Sequence, residues 1–417
     1  MDNIAMGRAL IGDSLIFHII IVLLSIGLPF IMNILEYLAW RRKSQKLEQV
    51  VRLLSRWVAV LVVAGVMSGT IIALQFSTLW APFLAQMDPE IRKYFAIEGY
   101  MFLIEAVFLS WYLLSQGKMS MGKHFLVGLP ITLGAMGSAV VITMINAWMN
   151  NPTGIVTSTT IWEVTHSITS YFFAATIFMM GFVAWHLWKR KNSKFAQKLL
   201  FGLSSLALVL MGVLALLGHQ SAVDLATTQP RKLAMIEIHD KTGPNAPLRI
   251  GGYLDENGTA QGGIVLPGLL SFLVGFSTDT HVKGLDSFSR DTWPMQIVHW
   301  LFDIKMAIIG LISLMIILTI GFYVRTKKQP TWFLKVLVWC GGVGILLVEL
   351  GWAITELGRQ PYAIAGQMLV ADAFTKGIDV VGFALIFPIL FIILIITTGF
   401  ALRTVTKQWY KKEKITW

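Results

Sequence analysis

The 417-residue chain has little cysteine and little charge. Its one cysteine, Cys340, excludes a disulfide framework, a zinc or iron–sulfur site built from cysteines, and the C-x-x-C-H attachment of c-type haem. Charged residues make up 14% of the chain, against about 25% in soluble domains, and 55% of the residues are hydrophobic. So apolar a chain cannot cover itself with polar surface. The composition therefore predicts an integral membrane protein.

Nine stretches reach the length that a helix needs to cross a bilayer core, about 20 mainly apolar residues. They cover residues 15–38, 57–79, 95–115, 125–149, 161–188, 199–218, 297–324, 332–357 and 380–402. The ten-residue alternation of a membrane barrel does not occur in the sequence, and no internal repeat typical of many transporters is visible. We predict an all-α integral membrane protein with about nine transmembrane helices.

Lys and Arg concentrate in every second connection between these stretches. The basic segments are 40–56, 116–123, 186–198, 325–330 and the tail after Leu402. Because basic connections stay on the cytoplasmic side, we expect the N-terminus outside and the C-terminus in the cytoplasm. The formal net charge of +11 therefore reflects membrane topology and does not predict nucleic-acid binding.

A long polar segment separates the sixth and seventh stretches. The chain accordingly divides into residues 1–218 with spans one to six, an outer segment at 219–296, and residues 297–417 with spans seven to nine and a basic tail. A segment of this length on a membrane bundle is usually functional or disordered. Its apolar stretch 268–276 is too short to span and is expected at the membrane interface, as is His299 beside Trp300.

Polar and ionisable residues in six of the predicted spans converge near the outer membrane surface. They are His18, Glu98, Asn146, His166, Lys305, Met306 and Glu356. Such groups are costly in a bilayer, so each is a functional hypothesis. Histidine and methionine are the axial ligands of electron-transfer haems, and helical bundles build such sites from facing side chains. A single intramembrane histidine can equally be a packing residue, but the convergence favours a redox centre.

A second set of polar residues extends towards the cytoplasm. His124 opens the fourth span, Ser138 lies in its middle, and Glu105 lies at mid-depth in the third span. Polar groups ranked through the bilayer are typical of a proton relay. The alternative is that Ser138 bonds its own backbone and that His124 is an interfacial residue. The spacing alone does not choose between these two interpretations.

Several motifs occur in an order that resembles subunit I of the cytochrome bd-type quinol oxidases. They are 75–80 (QFSTLW), 97–105 (IEGYMFLIE), 146–152 (NAWMNNP), 232–237 (KLAMIE), 282–285 (VKGL) and 349–361 (ELGWAITELGRQP). The resemblance covers nearly the whole chain. Its outer loop is of the short kind in that family.

The resemblance implies a set of haem-binding residues. His18 and Glu356 would each be an axial ligand in the oxygen-reducing haem pair, with Glu98 beside the pair. His166 and Met306 would ligate a low-spin haem b. Arg359 and Gln360 would meet haem propionates, and Asn146 and Trp352 belong to the same set. The implied cofactors are a low-spin haem b, a high-spin haem b, and a haem d or a further haem b.

The resemblance also implies a function. Lys232 and Glu237 would bind and deprotonate quinol in the outer loop, and His124, Ser138 and Glu105 would line a cytoplasmic proton route to the site of O2 reduction. Proton motive force would arise without pumping. The implied partners are a second membrane subunit and a very small accessory subunit, and the implied location is a bacterial or archaeal plasma membrane.

Two departures from the family pattern keep alternatives open. In the seventh span, an ungapped reading puts Lys305 in the ligand position, whereas a one-residue shift restores Met306, which we prefer because lysine is a poor ligand unless deprotonated. Glu98 and Glu105 are seven residues apart, one fewer than is usual in the family. These departures leave room for a haem-b-only relative with altered or no oxygen chemistry. A proton-coupled transporter that uses His124, Ser138 and Glu105 is the other alternative.

Overall fold

The computed structural model describes residues 3–190 and 193–412. Within these ranges, nine helices are long and apolar enough to cross a membrane, which confirms the predicted number. They are α1 (Asn3–Arg42), α2 (Gln45–Leu79), α4 (Pro89–Ser115), α5 (Met121–Asn150), α6 (Ser158–Arg190), α7 (Lys194–Thr228), α10 (Ile297–Thr326), α11 (Thr331–Arg359) and α13 (Val381–Lys412). The end of the predicted basic tail, 413–417, lies outside the described residues.

Short elements fill the connections at the end of the bundle where α1 begins. The helices are α3 (Ala81–Gln86), α8 (Pro230–Ile236), α9 (Leu269–Gly275) and α12 (Val370–Ala373). The strands are β1 (Leu248–Ile250), β2 (Tyr253–Leu254), β3 (Ala260–Gln261), β4 (Ile264–Leu266), β5 (Tyr362–Ile364) and β6 (Met368–Leu369). They pair antiparallel as β1 with β4, β2 with β3 and β5 with β6.

Polar caps separate helices that would otherwise run together. The side chains of Ser44 and Ser193 accept backbone hydrogen bonds that begin α2 and α7. Asp88 accepts from the Glu90 backbone N–H at 2.8 Å, and Pro89 stands at the first position of α4. Each cap satisfies an N–H that a helix start leaves unpaired, so these residues set where successive spans begin.

Small residues bring α6 and α11 close together. A Cβ added at Gly181 of α6 would lie 2.7 Å from the Cα of Gly341 on α11, and one added at Gly344 would lie 3.1 Å from the Cα of Ala174. Close approach of helix backbones at small residues is typical of packing in membranes, where burial of apolar surface contributes little free energy to the association of helices. This contact fixes α11, which carries Glu356, against α6, which carries His166.

Helix α7 is longer than the sequence predicted. It continues from Gly218, the expected end, through Thr228. The added turns are polar but ordered, since Asp224 accepts hydrogen bonds from Thr159 of α6 at 2.8 Å and from Thr228 at 3.0 Å. The first ten residues of the predicted outer segment, 219–228, therefore continue the helix, and its other elements begin after Thr228.

Candidate functional site

Five side chains form a hydrogen-bonded row at the C-terminal ends of α5 and α11, the end of the bundle predicted to face outside, and we call this row the outer network. Glu356 accepts one bond from Nδ2 of Asn146 and another, at 2.5 Å, from Nη2 of Arg359. Asn150 donates to Oδ1 of Asn146 at 3.1 Å, and Lys232 of α8 donates to Oδ1 of Asn150 at 2.8 Å. The predicted haem ligand Glu356 is thus joined to the predicted quinol residue Lys232.

A cavity of about 230 Å³ opens beside the Lys232 end of this network. Its lining residues are Asn150, Thr228, Gln229, Pro230, Arg231, Lys232, Phe288, Gly358, Arg359, Ala365 and Gly366. A Cβ added at Gly358 would lie 2.9 Å from Cγ of Lys232. The glycine of the Glu356-x-Gly358-Arg359 motif therefore makes the space in which the lysine stem packs.

The two residues predicted to bind quinol differ in their relation to this cavity, which Lys232 lines and Glu237 does not. Burial lowers the pKa of Lys232 to about 8, although the nearby Glu163 carboxylate opposes the shift. Glu237 is also buried, but it is absent from the residues that line the cavity within the described chain. Burial raises the pKa of Glu237 to about 8, and the Asp303 carboxylate adds to that shift.

His299 corrects an expectation drawn from the sequence. It is fully buried instead of interfacial, with Nδ1 2.7 Å from the carbonyl oxygen of Ile236 and Nε2 3.1 Å from that of Gly251. One turn later, Asp303 accepts from the Gly251 backbone N–H at 2.5 Å. His299 therefore ties the outer segment to α10, while its neighbour Trp300 is 44% exposed.

His18 has the environment of a metal-binding histidine. Its Nδ1 lies 2.8 Å from the Ser68 hydroxyl of α2, and a Cβ added at Gly69 would lie 3.5 Å from its Cε1. Ligating histidines commonly use their second ring nitrogen in a hydrogen bond that fixes the ring orientation. The Ser68 contact leaves Nε2 of His18 available for iron.

His166 of α6 and one face of α10 both lie beside α7, at the height of Gly218. A Cβ added at Gly218 of α7 would lie 3.6 Å from Cε1 of His166. Two turns before Gly218, the sulfur of Met211 lies 2.8 Å from the Ser313 hydroxyl of α10. Because α7 and α10 are antiparallel, Met306, two turns before Ser313, lies on that face at the level of Gly218. Its 49% exposure leaves space beside it.

Lys305 occupies the neighbouring face of α10. A Cβ added at Gly351 would lie 3.1 Å from its Nζ, so the lysine points towards α11. Val298 and Ile312, two turns before and after Lys305, are buried. Lys305 thus lies on the packed stripe of α10, and Met306 lies on the side towards α7. The assignment of Met306 as the low-spin ligand stays a prediction.

The remaining predicted haem contacts lie on α11. The indole N–H of Trp352 donates to the Tyr171 hydroxyl of α6 at 3.1 Å. Among residues 3–190 and 193–412, no partner is present for the buried Nδ1 of His166, for Nε and Nη1 of Arg359, or for Oε1 of Gln360. A guanidinium with free N–H groups suits a propionate carboxylate, and a free imidazole nitrogen suits iron. The residues present therefore fit haem.

The three residues of the predicted proton route lie along the interface of α4 and α5. Ser138 donates to Oε1 of Glu98 at 2.7 Å, so it does not merely bond its own backbone. Glu105 is buried, and its Oε1 has no partner in the described part of the chain. Glu98 and Glu105 are seven residues apart on one face of α4, so the shortened spacing keeps them aligned.

His124 contacts a functional candidate that was not predicted from the sequence. The ring is buried, not interfacial, with Nδ1 2.5 Å from Oε1 of Glu36 on α1. Tyr112 of α4 donates its hydroxyl to Oε2 of Glu36 at 2.7 Å. A carboxylate inside the first apolar run, three residues after Asn33, was the available signal. Its depth, near the basic end of the span, placed it away from the convergent outer set.

The chain is similar to known proteins over nearly its whole length. The family model for cytochrome bd terminal oxidase subunit I matches residues 6–410. The putative cytochrome bd menaquinol oxidase subunit I of Bacillus subtilis (strain 168) is 30% identical over 402 residues, with 90% of each chain covered. The cytochrome bd-II ubiquinol oxidase subunit 1 of Escherichia coli (strain K12) is 22% identical, covering 87% of this chain and 88% of that relative.

A solved structure agrees with these matches. The bd oxidase from Geobacillus thermodenitrificans superposes with a TM-score of 0.91 at 28% identity. The match covers 98% of this chain and 99% of the other. Together with the ordered motifs and the family model, this identifies the chain as a multi-pass membrane protein that belongs to the cytochrome bd terminal oxidase subunit I family.

Proposed function

We propose that the chain is the haem-bearing subunit of a terminal quinol:oxygen oxidoreductase in a bacterial or archaeal plasma membrane. The outer network carries this proposal. It connects a buried lysine at a cavity of about 230 Å³ with the carboxylate of Glu356, through hydrogen bonds of which the Lys232–Asn150 bond is 2.8 Å long. Quinol oxidase names of the relatives support the same substrate.

Quinol would bind in the cavity with a hydroxyl at Lys232. Asn150 holds the lysine amino group at the cavity wall, and Gly358 leaves room for its stem. Glu237 has a pKa of about 8, close to the working pH, which suits a group that takes up and releases protons. Since Glu237 does not line the cavity among the described residues, it would receive the quinol proton one step later and release it outside.

The haem-binding residues divide into ligands and propionate contacts. His18 and Glu356 would hold the oxygen-side pair, and His166 with Met306 would hold the low-spin haem b. When bound, the haems supply electron transfer and oxygen reduction, and the protein sets ligation and access. The N–H groups of Arg359 that have no partner among the described residues would hold propionate, with Gln360 beside them.

Protons for water formation would enter from the cytoplasm. His124, Glu105 and Ser138 lead along the α4–α5 interface to Glu98, which accepts the Ser138 hydroxyl at 2.7 Å. With quinol protons released outside and these protons taken from inside, charge separation follows without a pump. This orientation places the N-terminus outside, as the distribution of basic residues predicts.

A second membrane subunit would cover apolar surface on α13. Leu385, Ile396 and Phe400 are each at least 65% exposed on this helix. Surface of this kind faces either lipid or another membrane helix. We place the second subunit, with a very small accessory subunit, among the partners on the strength of the family.

The decisive experiment is a reduced-minus-oxidised absorbance spectrum of the purified complex, with and without carbon monoxide, alongside quinol-driven oxygen consumption. A low-spin b signal with a far-red band that responds to carbon monoxide is the expected result, with a haem d in the pair. Only b-type signals with a carbon monoxide response would assign a further haem b. A complex without haem would overturn the proposal and favour the proton-coupled transporter.

A further inference from the structure

A closed polar cluster lies where α1, α4 and α5 meet, near the basic end of the bundle. Glu36 is 4% exposed, and each of its oxygens has a partner: Nδ1 of His124 at 2.5 Å and the Tyr112 hydroxyl at 2.7 Å. A carboxylate inside a membrane span is costly unless it is paired, and it marks function more often than packing. None of the roles assigned above uses Glu36.

The hydrogen bonds fix how many mobile protons the pair holds. Nε2 of His124 lies 3.0 Å from the carbonyl oxygen of Tyr112, which can only accept, so this nitrogen carries a proton. The contact between Nδ1 and Glu36 then needs one more proton, on either partner. The pair therefore shares a single proton across a 2.5 Å contact, an arrangement suited to transfer.

The polar row continues from Glu36 towards Glu105. Asn33, one turn from Glu36, donates to the Thr132 hydroxyl of α5 at 2.6 Å. Gly128 of α5 leaves room for this row, because an added Cβ would lie 2.5 Å from Oδ1 of Asn33. On α4, Tyr112 lies seven residues, about 10.5 Å, from Glu105, a gap that two or three water molecules can bridge.

We propose that Glu36 and His124 form the proton-loading pair at the cytoplasmic entrance of the route, and that Glu36 delivers the proton towards Glu105. In this step the imidazolium of His124 loses its Nδ1 proton to Glu36, so the pair still holds one shared proton. Glu36 then passes one proton on, Nδ1 of His124 is reprotonated from the cytoplasm, and no electron moves. The open oxygen of Glu105 is the acceptor at the next level. The assignment rests on the proposed quinol oxidase function.

Glu36→Gln tests the assignment in the purified complex, with Tyr112→Phe as the matched control that removes a hydrogen bond but keeps the acid. We expect Glu36→Gln to retain the haem spectrum and carbon monoxide binding, to lower quinol-driven oxygen consumption about 100-fold, and to raise the solvent deuterium isotope effect. Tyr112→Phe should keep at least half of the rate. An effect confined to packing would not change the isotope effect.

Three outcomes separate the hypotheses. A Glu36→Gln complex with the wild-type rate and isotope effect would overturn the role of Glu36 while the oxidase function stands. If that variant loses haem, Glu36→Asp replaces it, because it keeps the acid but retracts it from His124: a slowed rate with a raised isotope effect supports the proposal, and a wild-type rate overturns it. A wild-type complex that consumes no oxygen with quinol would instead refute the proposed function.

Discussion

The outer network and the Glu36 cluster use the same kinds of side chain in opposite ways. At the outer end, Glu356 is bonded, yet Arg359 keeps two buried N–H positions without a partner in the described chain, next to a cavity. At the inner end, both oxygens of Glu36 and both ring nitrogens of His124 have partners inside the protein. Unpaired donors beside space suit the binding of a ligand, whereas a self-paired acid and base suit the holding of a proton.

Replacing His166 should have the largest effect, and we expect that effect to be confined to the haem and quinol sites at the outer end. His166→Ala deletes a predicted axial ligand, so we expect complete loss of the low-spin b signal and of quinol oxidation. The reduced-minus-oxidised spectrum measures the first, and oxygen consumption measures the second. His281→Ala, which changes an exposed histidine of the outer segment, is the control. An unchanged reduced spectrum in His166→Ala would refute the ligand assignment.

Arg359 tests whether the unpaired donors serve a cofactor. Arg359→Ala removes the bond to Glu356 and the N–H groups predicted to hold propionate. We therefore expect the apparent affinity for haem to fall about 10–100-fold. The ratio of haem to protein after purification measures it. Arg359→Lys should retain an intermediate amount of haem, because lysine keeps the positive charge but lacks the forked N–H groups of the guanidinium. Arg249→Ala, on strand β1 of the outer segment, is the control; equal haem contents in all variants would contradict the prediction.

Lys232 separates substrate binding from haem binding within the outer end. Lys232→Ala should spare the haem spectrum and raise the quinol KM about tenfold or more, since hydrogen bonds to charged groups contribute about 1.5–3 kcal/mol. Steady-state kinetics with a soluble quinol measure the KM. Lys241→Ala in the same segment should leave it unchanged. Loss of all haem from Lys232→Ala would show that the lysine is structural.

The substitution Asp303→Asn should produce the smallest effect, a shift in the pKa of Glu237. The Asp303 carboxylate disfavours the anion of Glu237, so Asp303→Asn should lower the pKa of Glu237 from about 8 by up to about one unit. The protonated fraction of Glu237 at pH 8 would then fall. Infrared titration of the carboxylic acid band from pH 6 to 9 measures this, with Glu237→Gln to assign the band. Asp255→Asn is the control; a midpoint that stays at the wild-type pH in Asp303→Asn would disprove the coupling.

The outer set was accessible from sequence because its members stand in motifs and at one depth. His18, His166 and Glu356 could be recognised as polar residues in apolar runs near one surface. His124 was also singled out from the sequence, but its partner Glu36 was not, because Glu36 has no motif of its own and lies away from the depth at which the outer set converges. The burial of His299 was likewise missed, since adjacent residues on a helix point about 100° apart and exposed Trp300 says nothing of its neighbour.

The sequence by itself determined the membrane class, the number of spans and the family, because hydrophobic length and motif order are properties of the chain alone. Only the tertiary structure decided that Lys232 joins Glu356 through Asn150 and Asn146, that Lys232 lines the cavity and Glu237 does not, and that Glu36 pairs with His124. Those relations depend on which helix faces meet. Contacts at small residues such as Gly181 and Gly341 set these faces, and their partners lie more than a hundred residues apart in sequence.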